Sequence, residues 1–222
     1  MSWVLDSIEK YAAELESIGA EPPPAPHWTQ DWFPRLDAAA AYAMVRTLKP
    51  RRIVEVGSGH STRFMARAVA DGWLKTRFTA IDPEPRASIE GLPIEFLRMP
   101  VQEADLSMFL QLEENDILFI DSSHQMAPGS DVEFLVEEVL PALPGGVLVH
   151  FHDVFLPDDY PEDWAWRRYN EQECIKDLFL RYTAEFSSHW IVTRAPEAIC
   201  GILARLPLVP GALESSLWLR KN

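Results

Sequence analysis

The sequence predicts a doubly wound α/β domain: a mostly parallel sheet with helices on both faces. Three observations carry that prediction. From residue 35 onward, segments with helical apolar spacing alternate with short apolar runs. Two of these runs, Asp116-Ile117-Leu118-Phe119-Ile120 and Val147-Leu148-Val149-His150-Phe151, are almost wholly apolar, as strands covered on both faces must be. The distinctive glycines, aspartates and histidines follow directly after such runs, where a sheet of this kind binds its ligands.

Taken in order, residues 1–19 read as an amphipathic helix. Val4, Ile8, Tyr11, Leu15 and Ile18 recur at helical spacing, Asp6, Glu9, Lys10 and Glu14 form the polar face, and Gly19 is placed to end it. Glu21-Pro22-Pro23-Pro24-Ala25-Pro26 cannot be helical and should run extended. His27, Trp28, Trp32 and Phe33 follow, either as packing aromatics or as the cover of a ligand pocket. Residues 1–34 are thus an N-terminal helix with a Pro- and aromatic-rich lid segment, and 35–222 the main domain. Within it, Leu36 to Leu48 is an Ala-rich helix stopped by Pro50, Arg52 to Val56 a strand, and Thr62 to Ala70 a helix. Phe78 to Ile81 and Ile94 to Leu97 are short strands, and Asp116 to Ile120 is the fourth. Val132, Leu135, Val136 and Val139 stand at i, i+3, i+4 and i+7, a helix ended near Pro141 and Pro144, before the strand Val147 to Phe151. A helix from about Arg168 to Tyr182, a strand near Trp190-Ile191-Val192, a short helix from Pro196 to Leu203 and a strand near Ser216 to Leu219 complete the pattern. The alternation demands right-handed crossovers, and neither an internal repeat nor a second domain is visible.

Composition narrows the function classes. The 222 residues hold 34 acidic and 20 basic side chains, a net charge of −14, and 47% are hydrophobic. Such a chain is globular rather than disordered, collagenous or disulfide-stapled. Its charge repels a phosphate backbone, and the densest basic clusters (Lys49, Arg51 and Arg52; Arg167 and Arg168) are too small to offset that, so no nucleic-acid partner is expected. No run of 18 apolar residues exists and no basic-then-apolar leader begins the chain, so no membrane partner is expected. Cys174 and Cys200 form no close pair and should be buried, reduced thiols, which fits a cytoplasmic location.

Four sets of residues sit where chemistry is expected. Gly57-Ser58-Gly59-His60-Ser61-Thr62 follows the first strand; its glycines admit close approach of a ligand, and Ser61 or Thr62 can cap the next helix. Asp82 follows the second strand, where a carboxylate can accept both hydroxyls of a ribose. Asp121-Ser122-Ser123-His124 follows the fourth strand and His152-Asp153 the fifth. A dinucleotide site would want glycine at the position of Thr62; its absence, with Glu55 two residues before the first glycine, points away from that ligand.

Ile53-Val54-Glu55-Val56-Gly57-Ser58-Gly59 resembles the first motif of the class I S-adenosylmethionine-dependent methyltransferases. Asp82 matches their ribose-binding position, Asp116 through Asp121 their fourth-strand motif, and Gly145-Gly146-Val147 their entry to the fifth strand. Ile120 to His124 and His150 to Pro157 further resemble a bacterial group of small O-methyltransferase-like proteins. The resemblance spans roughly residues 36 to 220 and implies a Rossmann-like, seven-stranded sheet whose last strand is antiparallel. It also implies that Glu55, Gly57, Ser58, Gly59, Asp82, Gln102 and Asp121 bind S-adenosylmethionine. In catechol-type relatives an aspartate after the fourth strand and an Asp-Asn pair after the fifth hold magnesium. Asp121 matches the first, but His152-Asp153 replaces the pair, and a histidine would suit zinc, manganese or iron better than magnesium. Asp121, His152 and Asp153 are therefore the candidate ligands of a divalent metal ion.

His124 replaces the catalytic lysine of those relatives, and a macrolide-sugar subgroup uses a histidine base. His124, with Asp121, is accordingly the expected catalytic pair, since an imidazole can take a hydroxyl proton near neutral pH. His150 is expected to be a satisfied core histidine. Tyr160, Trp164 and Trp166 are expected either to wall an acceptor pocket or to shield the following helix. The expected activity is O-methylation of a small molecule, with a homodimer left open. A cofactor-binding protein without catalysis that serves as a partner-binding module, and a nicotinamide-dependent oxidoreductase, are the rival readings.

Overall fold

Seven strands form one sheet in the order β3-β2-β1-β4-β5-β7-β6, and its two faces carry separate apolar cores. The computed structural model describes residues 2–222; Met1, the first residue of the expected helix, lies outside them. Strands β1 (Arg52–Val56), β2 (Arg77–Ile81), β3 (Glu95–Leu97), β4 (Ile117–Ile120) and β5 (Leu148–Phe151) pair in parallel. β7 (Leu217–Lys221) lies antiparallel between β5 and β6 (Tyr182–Ser187), as the resemblance implied.

The period-2 pleat explains the two cores. Ile117 and Phe119 of β4 enter the core beneath α1 (Ser2–Lys10), α3 (Arg35–Leu48) and α4 (His60–Asp71), whereas Leu118 and Ile120 enter the opposite one with Leu135, Val139 and Ile175. α3 is Ala-rich because it is sealed on nearly every side: residues 36–45 are all buried. Its first turn is held from outside, by Glu214, which accepts the Leu36 N–H at 2.7 Å and pairs with the Arg35 guanidinium at 2.8–2.9 Å.

The N-terminal segment packs on the same core. α1 and α2 (Ala12–Ser17) are separated at Tyr11, yet Val4, Ile8, Leu15 and Ile18 are all buried, as their spacing predicts. Trp28 packs on Phe64 at 4.9 Å and Phe33 on Phe119 at 5.6 Å, so these two aromatics are core, while Trp32 stays half exposed.

Three assignments near the C-terminus differ in the structure, among them the helix expected from Pro196 to Leu203, which is only a 3₁₀ turn, Pro196–Ala198. Trp190-Ile191-Val192 is not a strand but part of α9 (Ser188–Arg194), because the Ser187 hydroxyl caps the Trp190 N–H and Ile191 turns inward at helical spacing. The sixth strand is instead Tyr182–Ser187, whose first residue was assigned to the preceding helix; that helix, α8, is only Glu171–Leu178. Tyr182 to Ser187 alternates apolar and polar residues as a strand should, and the register shift between Ala184 and Phe186 sends Tyr182 and Phe186 into opposite cores. The cysteines are unbridged as expected, but neither is buried: Cys174 is partly exposed and Cys200 exposed.

Candidate active site

The ladder hydrogen bonds continue past the strand ends and set the site residues side by side. Asp121 N–H donates to Val56 O at 2.9 Å, Gly57 N–H to Ile81 O at 3.0 Å, and His152 N–H to Ile120 O at 3.0 Å. These are the carboxyl ends of β1, β2, β4 and β5, across the point where strand order reverses. Gly57 has φ +80°, and a Cβ there would lie 1.9 Å from Asp121 O, so only glycine lets the turn touch the β4 end.

A cavity of about 440 Å³ opens over this turn, walled among others by Gly57, Ser58, Asp82, Gln102, Asp121 and Ser122. Asp82 is buried and already braces the turn: Oδ2 accepts from Ser58 N–H (2.6 Å) and Oγ (2.9 Å), and Oδ1 from Glu84 N–H (2.7 Å). A carboxylate has about four lone-pair sites, so roughly one remains for a ligand hydroxyl. Gln102 is exposed and donates to Gly129 O, and Ser122 Oγ is buried without a partner in the cavity wall. Gly59 opens α4, where its N–H donates to Thr62 Oγ1 at 2.9 Å; the residue that replaces the third glycine thus caps the helix. Glu55 lies behind the turn, fully buried. Ser61 Oγ donates to its Oε1 at 2.6 Å, its Oε2 has no partner, and burial pushes its pKa up to about 8.

A second cavity, of about 370 Å³, adjoins the first. Asp121 and Arg86 belong to both walls, and Trp32, His152, Asp153, Trp164 and Arg167 line the second alone. Arg86 stacks on Trp32 at 4.7 Å and Arg167 on Trp164 at 4.1 Å, so each tryptophan wall carries a guanidinium. Of the loop aromatics, Trp164 walls the cavity, Tyr160 packs on Phe155 and accepts the Gln172 N–H, and Trp166 is 75% exposed.

The two histidines differ in what they can reach. His124 is 1% exposed and does not line the second cavity: Nδ1 faces Glu171 Oε2 at 2.9 Å and Nε2 faces Asp121 Oδ1 at 3.2 Å. Burial alone would lower its pKa, but bonds to Asp121 and Glu171 and the charge of Asp153 raise it well above the ordinary imidazole value. The residue expected to be the base therefore stands behind Asp121 with both nitrogens engaged. His152 does line the cavity. Its Nδ1 lies 3.4 Å from Asp153 Oδ1 and 3.7 Å from Asp121 Oδ1, and its Nε2 lies 3.4 Å from Asp37 Oδ2. Burial opposes protonation there too, yet Asp153, Asp121 and Asp37 together raise its pKa to about 9. Burial would raise the pKa of Asp121, but His152 and His124 hold it far below the usual carboxylate range. His150 is a core histidine as expected, but only one of its ring nitrogens is satisfied: it is fully buried and stacked on Phe119 at 3.7 Å, with Nε2 on Ser216 Oγ, Nδ1 without a partner, and the ring kept neutral by burial.

The candidate metal ligands do converge, but not as a metal centre. Among the described residues, no group of three or more His, Cys, Asp or Glu side chains is arranged to hold an ion. Asp121 and Asp153 instead face two imidazoles that are themselves braced from behind by Asp37 and Glu171. The donors do not fit a metal as they stand. Asp37, Glu171 and Arg86 were missed in the sequence. Asp37 alone had a signal there, as the one carboxylate in the apolar run Leu36 to Val45.

This strand order, with a glycine turn and an acidic residue closing the first two strands, defines the fold of the class I S-adenosylmethionine-dependent methyltransferases. Residues 54–154 match a family described as a methyltransferase domain, which bears out the resemblance carried by the motifs. An SAH-bound methyltransferase from Podospora anserina superposes with a TM-score of 0.52 at 16% identity, covering 98% of this chain and 88% of that one. An O-methyltransferase from Bacillus cereus in complex with SAH gives 0.52 at 14% identity, over 99% and 90% of the two chains. A protein from Archaeoglobus fulgidus described as uncharacterized is 38% identical over 92 residues, 38% of this chain and 41% of that relative, so the match spans less than half of its length.

Proposed function

We propose that this protein is an S-adenosylmethionine-dependent methyltransferase that acts on a hydroxyl group of a small molecule. One observation carries the reading: two cavities of ligand size meet at Asp121 and Arg86, one over the glycine turn and the other between tryptophans. The orphaned Ser122 Oγ and the remaining lone pair of Asp82 suit a polar, hydroxyl-bearing ligand in the first cavity. S-adenosylmethionine, when bound there, supplies a methyl group whose bond to sulfur breaks, its electron pair staying on sulfur, as the acceptor oxygen bonds to carbon.

The chain's own residues then have two tasks. Trp32 and Trp164 hold the acceptor in line, which is worth more to a displacement than any chemistry the protein adds. His152 takes the hydroxyl proton, because its Nδ1 is the imidazole nitrogen turned to the acceptor cavity. His124 holds Asp121 in place from behind. A cytoplasmic location belongs to the same reading and draws on the two unpaired cysteines. No helix among the described residues is long and apolar enough to cross a membrane.

Calorimetric titration with S-adenosylhomocysteine and with NAD tests the cofactor: heat of binding with NAD alone would overturn the reading. Asp82→Ala should weaken S-adenosylhomocysteine binding by about 1.5–3 kcal/mol, through loss of a charged hydrogen-bond acceptor. Unchanged affinity in the folded variant would move the ribose site elsewhere. Because the donors do not fit an ion, turnover should persist in EDTA; loss of activity restored by one added divalent metal would show that the cluster rearranges to bind it.

A further inference from the structure

Asp37 is fully buried in the first turn of α3, and the reading above leaves it unused. Its environment is nonetheless specific. Oδ2 accepts the Ser215 N–H and Oδ1 the Ser216 N–H, both at 3.0 Å. With a backbone donor on each oxygen, the group acts as an acceptor on both sides. The same two serines reach the site: Ser215 Oγ donates to Asp153 Oδ1 at 3.2 Å, and Ser216 Oγ meets His150 Nε2 at 2.8 Å. His152 Nε2 is sealed from solvent and has no well-formed hydrogen bond; the group facing it is Asp37 Oδ2, at 3.4 Å.

That pairing decides the tautomer. A neutral imidazole carries one N–H, and the partner of one nitrogen fixes the state of the other. A bare lone pair on Nε2 would face an acceptor oxygen with no water to relieve the repulsion, so Nε2 must carry the proton. The lone pair of the neutral ring then falls on Nδ1, on the side of the acceptor cavity. Asp153 Oδ1 lies equally close to Nδ1, at 3.4 Å, but that side of the ring borders the cavity, where water can meet a bare lone pair, whereas the Nε2 side is sealed.

We propose that Asp37 is the positioning residue of His152: it accepts the Nε2–H, fixes the ring tautomer and turns the Nδ1 lone pair toward the acceptor hydroxyl. The inference rests on the proposed methyl transfer for its consequence, but not for its geometry. In the reaction the acceptor proton moves to Nδ1 as the acceptor oxygen bonds to the methyl carbon, giving an imidazolium whose second N–H remains on Asp37. A separation of 3.4 Å is within reach of a hydrogen bond that tightens on substrate binding, as catalytic bonds often do.

The test is a long-range ¹H–¹⁵N correlation spectrum of the wild-type protein labelled at histidine, with the His152 ring assigned by its loss in His152→Gln. At a pH where the ring is neutral, Nε2 should show the shift of a protonated nitrogen and Nδ1 that of a bare one. The reverse pattern overturns the proposal whatever the activity. Asp37→Asn should lower kcat by about a hundredfold or more, as expected of a mis-set tautomer, with acceptor KM and S-adenosylhomocysteine affinity within about threefold of wild type. A folded Asp37→Asn with wild-type kcat also overturns it. Should that variant not fold, because it loses the Ser215 and Ser216 anchors, the wild-type spectrum decides alone. Failure of wild-type protein to bind S-adenosylhomocysteine would instead reject the methyltransferase reading and leave the tautomer result standing.

Discussion

His152→Gln should lower kcat by about 10²–10⁴-fold while leaving S-adenosylhomocysteine affinity nearly unchanged, because the side chain lines the acceptor cavity and not the cavity over the glycine turn. Glutamine keeps a polar side chain of similar reach but cannot take a proton. The pH profile adds a second signature. A base works only when deprotonated, and Asp153, Asp121 and Asp37 hold His152 protonated up to about pH 9. His150 stacks 6.0 Å away but is kept neutral by burial, so it adds no charge that opposes this. The wild-type rate should therefore rise with pH through neutrality, reach half its plateau near pH 9, well above the ordinary imidazole value, and level off only above that; the variant should lack this limb. A folded His152→Gln with wild-type turnover and an unchanged profile would return the role of base to His124 or to solvent.

What the sequence made visible follows from what is local. The four central strands were read within a residue of their observed ends, because largely apolar runs of four or five residues bounded by turn signals are too short for a buried helix. The residues directly after them, Gly57, Asp82, Asp121 and His152-Asp153, converge because ladder bonds alone bring neighbouring strand ends together. In the C-terminal third the reading differs from the structure: the alternating run Tyr182–Ser187 follows closely on a helix and was absorbed into it, and the β-branched pair Ile191-Val192 imitates a strand inside a helix. Side chains that arrive from helices and distant loops were invisible for a different reason. Glu171 stands 47 residues from His124 in sequence, and Asp37 is 178 residues from Ser215. Neither separation has a local signature, so the braces behind both histidines emerge only from tertiary packing. Under the proposed function the role of base passes from His124 to His152: His124 stands three residues after Asp121, as expected, but Glu171 and Asp121 engage both of its ring nitrogens.

Asp121→Asn should produce the other large effect, and it should discriminate between cofactor and product. The carboxylate borders both cavities, 29% of its side chain is exposed, and two histidines keep it ionised far below neutral pH. Reactant and product differ there by one charge, since S-adenosylmethionine carries a positive sulfonium and S-adenosylhomocysteine a neutral thioether. At about 5 Å and an effective dielectric near 20, unit charges attract by about 3 kcal/mol. Water in the open cavities screens part of this, so a loss of about 10- to 100-fold in S-adenosylmethionine affinity is the expected outcome. Affinity for S-adenosylhomocysteine should change by less than about threefold, because asparagine keeps an oxygen for the His124 Nε2 and adds no bulk beside Gly57. The kcat plateau at high pH should fall, because without the Asp121 charge His152 is a weaker base, while the rising limb should move to lower pH, because the ring then deprotonates sooner. Paired titrations of the two ligands against the folded variant decide the matter. Equal losses for both would mean that Asp121 shapes the cavity without acting through its charge, and no loss for either would remove it from the cofactor site.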